Sequence, residues 1–176
     1  MTAPQIAALL RDVPDFPSPG VVFKDISPVL ADPAMFEAAV EAMIDPFRGD
    51  SVVKVAGIEA RGFVFAAPIG LRMRAGVVPV RKPGKLPGAT VEQSYDLEYG
   101  TDTVQIHADA VSPGERVLIV DDVLATGGTA AATVALLQRM GAEVVGISVL
   151  LELGFLGGRR KLDGHVVHAV VVDDGD

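Results

Sequence analysis

Near the middle of the chain an apolar run, Val117-Leu118-Ile119-Val120, ends on two adjacent carboxylates, Asp121 and Asp122. Val123, Leu124 and the turn-forming stretch Ala125-Thr126-Gly127-Gly128-Thr129 follow, leading into an Ala-rich segment that closes on Gly141. The pattern predicts a buried strand from Arg116 to Asp121, a tight loop, and a helix from Gly128 to Met140. In open α/β sheets, ligands bind at the carboxyl ends of the strands. The segment therefore points to a sheet and, at the sheet's edge, to a site.

The loop suits a phosphate. A helix N-terminus offers unpaired N–H groups and partial positive charge. Glycines let the backbone approach closely, and Thr126 and Thr129 can add hydroxyl donors. Asp121 and Asp122 are poor phosphate ligands but good acceptors for sugar hydroxyls. A vicinal ribose diol beside a phosphate would satisfy both halves of the segment. Neither a Gly-x-Gly-x-x-Gly fingerprint nor a Gly-Lys-Ser/Thr P-loop is present. A plainer reading is a strand–turn–helix in which Asp122 or Thr126 caps the helix. Two adjacent carboxylates plus Thr-Gly-Gly-Thr exceed what capping needs.

The rest of the chain extends this pattern. A helix is expected from near Thr2, with Ile6, Leu9, Leu10 and Val13 at helical spacing. Pro14, Pro17, Pro19 and Gly20 then enforce an extended or turning segment, followed by the short apolar stretch Val21-Val22-Phe23. Asp32 before Pro33 reads as a cap with proline at the first helical position, and Phe36, Val40, Met43 and Phe47 continue that helix towards Arg48-Gly49. Val52 to Gly57 reads as a strand and Arg61 to Ala75 as a helix, which Pro68 must kink or delay. Further strands are expected at Val77–Val80, Val144–Leu151 and Val166–Val172. Strands alternating with helices imply a parallel sheet with helices on both faces. Residues 82–103 are too long for a plain connection, with a hairpin expected between Thr90–Tyr95 and Thr103–His107. One domain spanning residues 1–176 is expected.

The net charge of −8 argues against a general nucleic-acid binder. Residues 51–90 nevertheless carry Lys54, Arg61, Arg72, Arg74, Arg81, Lys82 and Lys85 against Glu59 alone, a local +6. A basic zone on an acidic chain suits a small polyanion. The competing reading is a solvated face whose charges balance acidic neighbours. With no cysteine, disulfides, thiolate catalysis and cysteine-ligated metals are excluded. His107, His165 and His168 are too few for a His-rich metal site, and they are left without a role. A 49% apolar composition suffices for a core. No apolar run reaches the roughly 18 residues of a membrane span, and no basic stretch precedes an apolar leader. The cytoplasm is the expected compartment.

The stretch Asp121 to Thr129 resembles the phosphoribosyl-pyrophosphate motif of type I phosphoribosyltransferases. Four other stretches resemble the adenine-using branch of that family in order and spacing. They are Phe16 to Pro28, Gly57 to Phe63, Arg81 to Gly88, and Ser94-Tyr95-Asp96-Leu97-Glu98-Tyr99-Gly100. The resemblance runs from about Phe16 to Leu162. It departs at Lys24, where the family usually has arginine; lysine keeps the charge but not the planar fork.

The resemblance implies a type I phosphoribosyltransferase fold, an α/β architecture with a central parallel sheet flanked by helices. A small N-terminal hood over about residues 1–30 and a flexible loop over about residues 82–103 would complete it. The implied reaction is purine salvage: adenine plus 5-phosphoribosyl 1-pyrophosphate (PRPP) giving AMP and pyrophosphate, with Mg²⁺ held through PRPP and no direct metal ligand. Ala125, Thr126, Gly127, Gly128 and Thr129 would hold the 5-phosphate, and Asp121 and Asp122 the ribose. Glu59, Ala60, Arg61, Arg81, Lys82 and Lys85 would meet the pyrophosphate, on a Glu59–Arg61 loop that often carries a cis peptide. Val22, Phe23 and Lys24 would contact adenine, with Val21 beside them. Glu98 and Arg61 would be catalytic, Glu98 exchanging a proton with the purine. A homodimer is implied, with Arg81 serving the neighbouring subunit's site. The alternatives are a transferase for another purine, or a regulator that senses PRPP without catalysis; the latter should have lost Glu98 or Arg61, and both are present.

Overall fold

The structure is a computed structural model that describes residues 2–96 and 100–175. In chain order, α1 (Ala3–Ala7), β1 (Arg11–Pro14), β2 (Val22–Asp25) and α2 (Ser27–Ala31) precede α3 (Pro33–Ile44). The sheet region follows, with β3 (Lys54–Ile58), α4 (Gly62–Met73) and β4 (Gly76–Val80). A hairpin, β5 (Thr90–Asp96) and β6 (Thr101–His107), leads to β7 (Arg116–Leu124), α5 (Gly128–Arg139), β8 (Glu143–Leu153) and β9 (Val167–Asp173). The five long strands form a sheet of order β4-β3-β7-β8-β9, and every neighbouring pair is parallel.

Strand β7 shows why the sheet is covered on both faces. Its side chains alternate in direction, and all four residues of the Val117–Val120 run are buried. Val117 and Ile119 pack with Leu136 and Leu137 of α5 and with Val104 and Ile106 of the hairpin. Leu118 and Val120 pack on the other side with Met43 of α3, Phe65 and Ile69 of α4, and Ile6 of α1. The expected layers are thus present, and the hairpin supplements α5 as cover for one face.

Three expectations need correction. The N-terminal helix stops at Ala7, and Val13 lies instead in β1, opposite Phe23 of β2. Apolar spacing alone could not separate these states, because Ile6 is buried in either. Pro14 ends β1 at the edge of a two-stranded ribbon, where its missing N–H costs no ladder bond. Strand β7 runs past Asp121 to Leu124, since β8 is long enough to pair Val123 with Leu151 and Leu124 with Glu152. Both aspartates are therefore held in the sheet's last ladder steps. Helix α4 is not delayed by Pro68: it begins at Gly62 and continues through the proline, which sits near the exposed residues Val64 and Ala67. It ends at Arg74, whose backbone is left-handed with φ 56°.

Asp32 caps α3 as expected, accepting bonds from Ala34 N (2.9 Å) and Met35 N (3.0 Å). No described helix is long and apolar enough to cross a membrane.

Candidate active site

The carboxyl ends of β3 and β7 open into a cleft of about 380 Å³, lined by Val21–Lys24, Glu59–Arg61, Asp121–Val123, Ala125 and Leu153. That volume suits a small ligand. A smaller cavity of about 90 Å³ adjoins it, lined by Asp121 and the loop from Val123 to Ala130. Both share Asp121 and Ala125, so base-sized and phosphate-sized spaces lie side by side.

The acidic pair is held in an unfavourable setting. Asp122 is only 6% exposed, and its Oδ2 lies 2.6 Å from Arg61 Nε. The contact is off the hydrogen-bond axis, and that buried oxygen has no hydrogen-bond partner among the described residues. Asp121 Oδ1 accepts the Asp122 backbone N–H at 2.8 Å. Burial pushes the Asp121 carboxyl well above the usual carboxylate range, with the Asp122 charge adding to it. Burial also raises Asp122, against the opposing pull of Arg61. Donors from a ligand would return what burial has removed from these oxygens. Gly62 must lack a side chain here, because a Cβ would sit 2.9 Å from Asp121 Oδ1 and 3.0 Å from Val120 O.

The loop ahead of α5 is closely supported. Gly127 adopts φ 77°, a conformation that favours glycine. Gly128 is covered by the Tyr95 ring, 3.0 Å from where a Cβ would lie. Thr126 is exposed at the loop's tip. Thr129 Oγ1 lies 2.8 Å from Tyr95 Oη, which also bonds Asp102 Oδ2 at 3.0 Å. The hairpin therefore rests directly on the phosphate-sized cavity.

The residues assigned to pyrophosphate divide into two groups. Glu59, Ala60 and Arg61 line the cleft, and the Glu59–Ala60 peptide is cis, as the resemblance implied. Arg81, Lys82 and Lys85 are not among the residues lining it. Arg81 and Lys82 are tied to its wall through Glu59, whose carboxylate accepts from Arg81 Nε (2.7 Å) and Lys82 N (2.9 Å). Glu59 thus holds cations in place. Arg81 Nη1 also donates to Lys85 O at 3.0 Å. The Lys82 ammonium pairs with Asp102 and donates to Tyr95 Oη at 2.9 Å, and desolvation opposes the rise that these partners give its pKa.

Val22 and Phe23 face the cleft together with Val123 and Leu153. Val22 is 53% exposed, and the Phe23 ring lies 5.0 Å from the Arg61 guanidinium carbon. Lys24 also lines the cleft, but its ammonium is engaged elsewhere, 2.8 Å from Asp12 and 3.0 Å from Asp173. These carboxylates raise the lysine's pKa, and Lys24 in turn lowers that of Asp173. Glu98 lies outside the described residues. Sequence reasoning missed Val123 and Leu153 as cleft walls, Tyr95 and Asp102 as the hairpin's anchors, and Asp173 as the partner of Lys24. Tyr95 and Val123 stand inside stretches that carried the resemblance; Leu153, Asp102 and Asp173 had no local signal.

Comparison with known proteins agrees with this fold. A family model described as the phosphoribosyl transferase domain matches residues 26–174. An adenine phosphoribosyltransferase from Thermobifida fusca is 63% identical over 153 residues, 87% of this chain and 87% of that one. The crystal structure of adenine phosphoribosyltransferase from Rhodothermus marinus is 52% identical, covers 97% of this chain and 98% of its own, and superposes with a TM-score of 0.94. The enzyme of the same name from Saccharomyces cerevisiae, complexed with an imino-altritol bisphosphate and adenine, is 37% identical with a TM-score of 0.90. It covers 96% of this chain and 97% of its own.

Proposed function

The chain belongs to the phosphoribosyl transferase family, and from that premise we infer that it converts adenine and PRPP to AMP and pyrophosphate. This is a pentosyl transfer of purine salvage. The single observation that carries the reading is the cleft itself, where an apolar slot, an under-solvated acid pair and a glycine-rich phosphate loop adjoin. Each of the three matches one part of the product: base, ribose and 5-phosphate.

The roles of the residues follow from that match. Val22 and Phe23 sandwich the purine, and Asp121 and Asp122 accept the ribose hydroxyls. Ala125 to Thr129 hold the 5-phosphate through backbone N–H groups and threonine hydroxyls. The bond from the sugar's C1 to pyrophosphate breaks as a purine ring nitrogen bonds to C1. Arg61, released from Asp122 by the ribose, then faces the negative charge developing on the leaving group, with Arg81, Lys82 and Lys85 beyond it. Fixed cations of this kind contribute several kcal/mol to such steps. Glu98 takes the proton that the purine nitrogen gives up. Closure over the cleft keeps water from a sugar centre with oxocarbenium character.

Magnesium fits as an ion carried by the substrate. It keeps waters and substrate phosphates and takes one or two carboxylates rather than a closed cage. Asp121 and Asp122 serve the ribose, and Asp122 Oδ2 already lies 2.6 Å from Arg61 Nε, so the ion would be held through the phosphates of PRPP with no direct ligand from the chain. When bound, the ion would neutralise pyrophosphate charge. The working unit is a homodimer in the cytoplasm, where a sugar bearing this much phosphate is retained by its charge. The test is purine absorbance after mixing adenine, hypoxanthine or guanine with PRPP and Mg²⁺. Adenine alone should convert efficiently; matching rates for the other bases would overturn the choice of base.

A further inference from the structure

We propose that Gly158, Arg159 and Glu152 form a brace that sets the shape of the 5-phosphate loop, making Arg159 and Glu152 positioning residues for PRPP. The proposal rests on the reading of Ala125 to Thr129 as that loop.

The brace begins in the sheet. Glu152 stands near the end of β8, in register with Leu124, the last residue of β7 before the loop. Its side chain is only 6% exposed. A carboxylate so placed must be paired, and Arg159 pairs with it twice: Nε donates to Oε1 at 3.0 Å, and Nη2 bonds Oε2. The same guanidinium donates from Nη1 to Val167 O at 2.7 Å. One planar group therefore ties β8, the residue preceding Arg159 and the start of β9 together.

That preceding residue is Gly158, and it lies against the phosphate loop backbone to backbone. A Cβ on Gly158 would fall 2.1 Å from Ala125 O, 2.8 Å from Gly127 N and 2.9 Å from Thr126 C. A Cβ on Gly127 would fall 2.3 Å from Gly158 O. No flexible side chain separates the two segments, so neither can shift without moving the other. The N–H groups meant for a phosphate are thus aimed by a segment that lines neither cavity, and the Glu152–Arg159 pair holds that segment.

The test titrates PRPP, ribose 5-phosphate, pyrophosphate and adenine into the parent, Gly158→Ala and Arg159→Lys, alongside thermal melts. In Gly158→Ala the loop must give way. PRPP and ribose 5-phosphate should bind about a hundredfold more weakly, the order of loss when a hydrogen bond to a charged group is broken. Pyrophosphate and adenine should bind as in the parent. Arg159→Lys keeps the charge but loses the fork, so the same two ligands should weaken by roughly tenfold. It decides the matter should Gly158→Ala not fold. Equal weakening of all four ligands, or lowered melting temperatures with unchanged affinities, would overturn the brace. A parent that binds pyrophosphate but not ribose 5-phosphate would overturn the loop assignment, and the brace with it.

Discussion

Asp121 and Asp122 carry a cost of burial that donors from a bound ribose would relieve. Burial raises both carboxyls, Asp121 well above the ordinary carboxylate range. The folded chain then keeps a proton that the unfolded chain has already released. Between the ordinary value and the raised one, stability therefore falls as pH climbs. Asp121→Asn removes that liability and can still accept the Asp122 N–H. Its stability relative to the parent should rise as pH climbs above the ordinary carboxylate range, read as the difference in melting temperature along that climb. PRPP affinity should meanwhile fall roughly tenfold to a hundredfold, the cost of a lost partner to a buried polar group. A constant stability difference across the range would mean that burial does not set this group. Glu98 is the other acid to test. Glu98→Gln keeps size and hydrogen bonding but cannot titrate, so turnover should drop by about 10²–10⁴-fold with adenine affinity nearly unchanged. Turnover within a few fold of the parent would leave Glu98 as a loop-closing group only.

The β7–loop–α5 unit was legible because its whole argument sits in contiguous residues, from Val117 to Thr129, with strand, charges and glycines in order. The hairpin was legible for a similar reason, since β5 and β6 are near neighbours in sequence. The hood was not. Val13 suits a helix by spacing, yet it pairs across β1 and β2, and only the partner strand decides that. Nor could local pattern reveal that Lys24 would meet Asp173, at the far end of the chain. That ion pair joins β2, which carries Val22 and Phe23, to β9, while Asp12 joins it to β1. It thus fixes the hood relative to the sheet. The pair is partly exposed, 22% for Lys24 and 25% for Asp173, so about 0.2–1 kcal/mol is the expected worth. Asp173→Asn should accordingly raise the KM for adenine only about two- to fivefold, leave the KM for PRPP unchanged, and be rescued by Asp173→Glu. A rise confined to PRPP would detach Asp173 from the hood.

The basic zone of residues 51–90 turns out to serve two ends of the molecule. Lys54 opens β3 at the sheet's amino end, and Arg72 pairs with Glu37 and Glu41 near the far end of α4. The helix rises about 1.5 Å per residue, which puts Arg72 well away from the cleft where α4 begins. Balancing of acidic neighbours accounts for Arg72 in this half of the zone. At the cleft end, Arg61, Arg81 and Lys82 are each paired with a carboxylate, Asp122, Glu59 and Asp102. A pyrophosphate would therefore compete with partners already in place, and a cation contributed by a second subunit would tip that competition. Arg81 is the candidate, tied to the outside of the cleft wall through Glu59. Leu71, 82% exposed, with Val64 and Val77 on α4 and β4, offers apolar surface for pairing. Sedimentation should give a dimer, and a complementation test should then assign Arg81. Arg81→Ala and Asp122→Asn are each expected to be nearly inactive alone. If Arg81 acts across the interface, a mixed dimer keeps one intact site, built from the Asp122 of one subunit and the Arg81 of the other. Random exchange of equal amounts makes about half the dimers mixed, so about a quarter of the parent's activity should return. If Arg81 serves its own subunit, every site in every dimer lacks one group and mixing restores nothing.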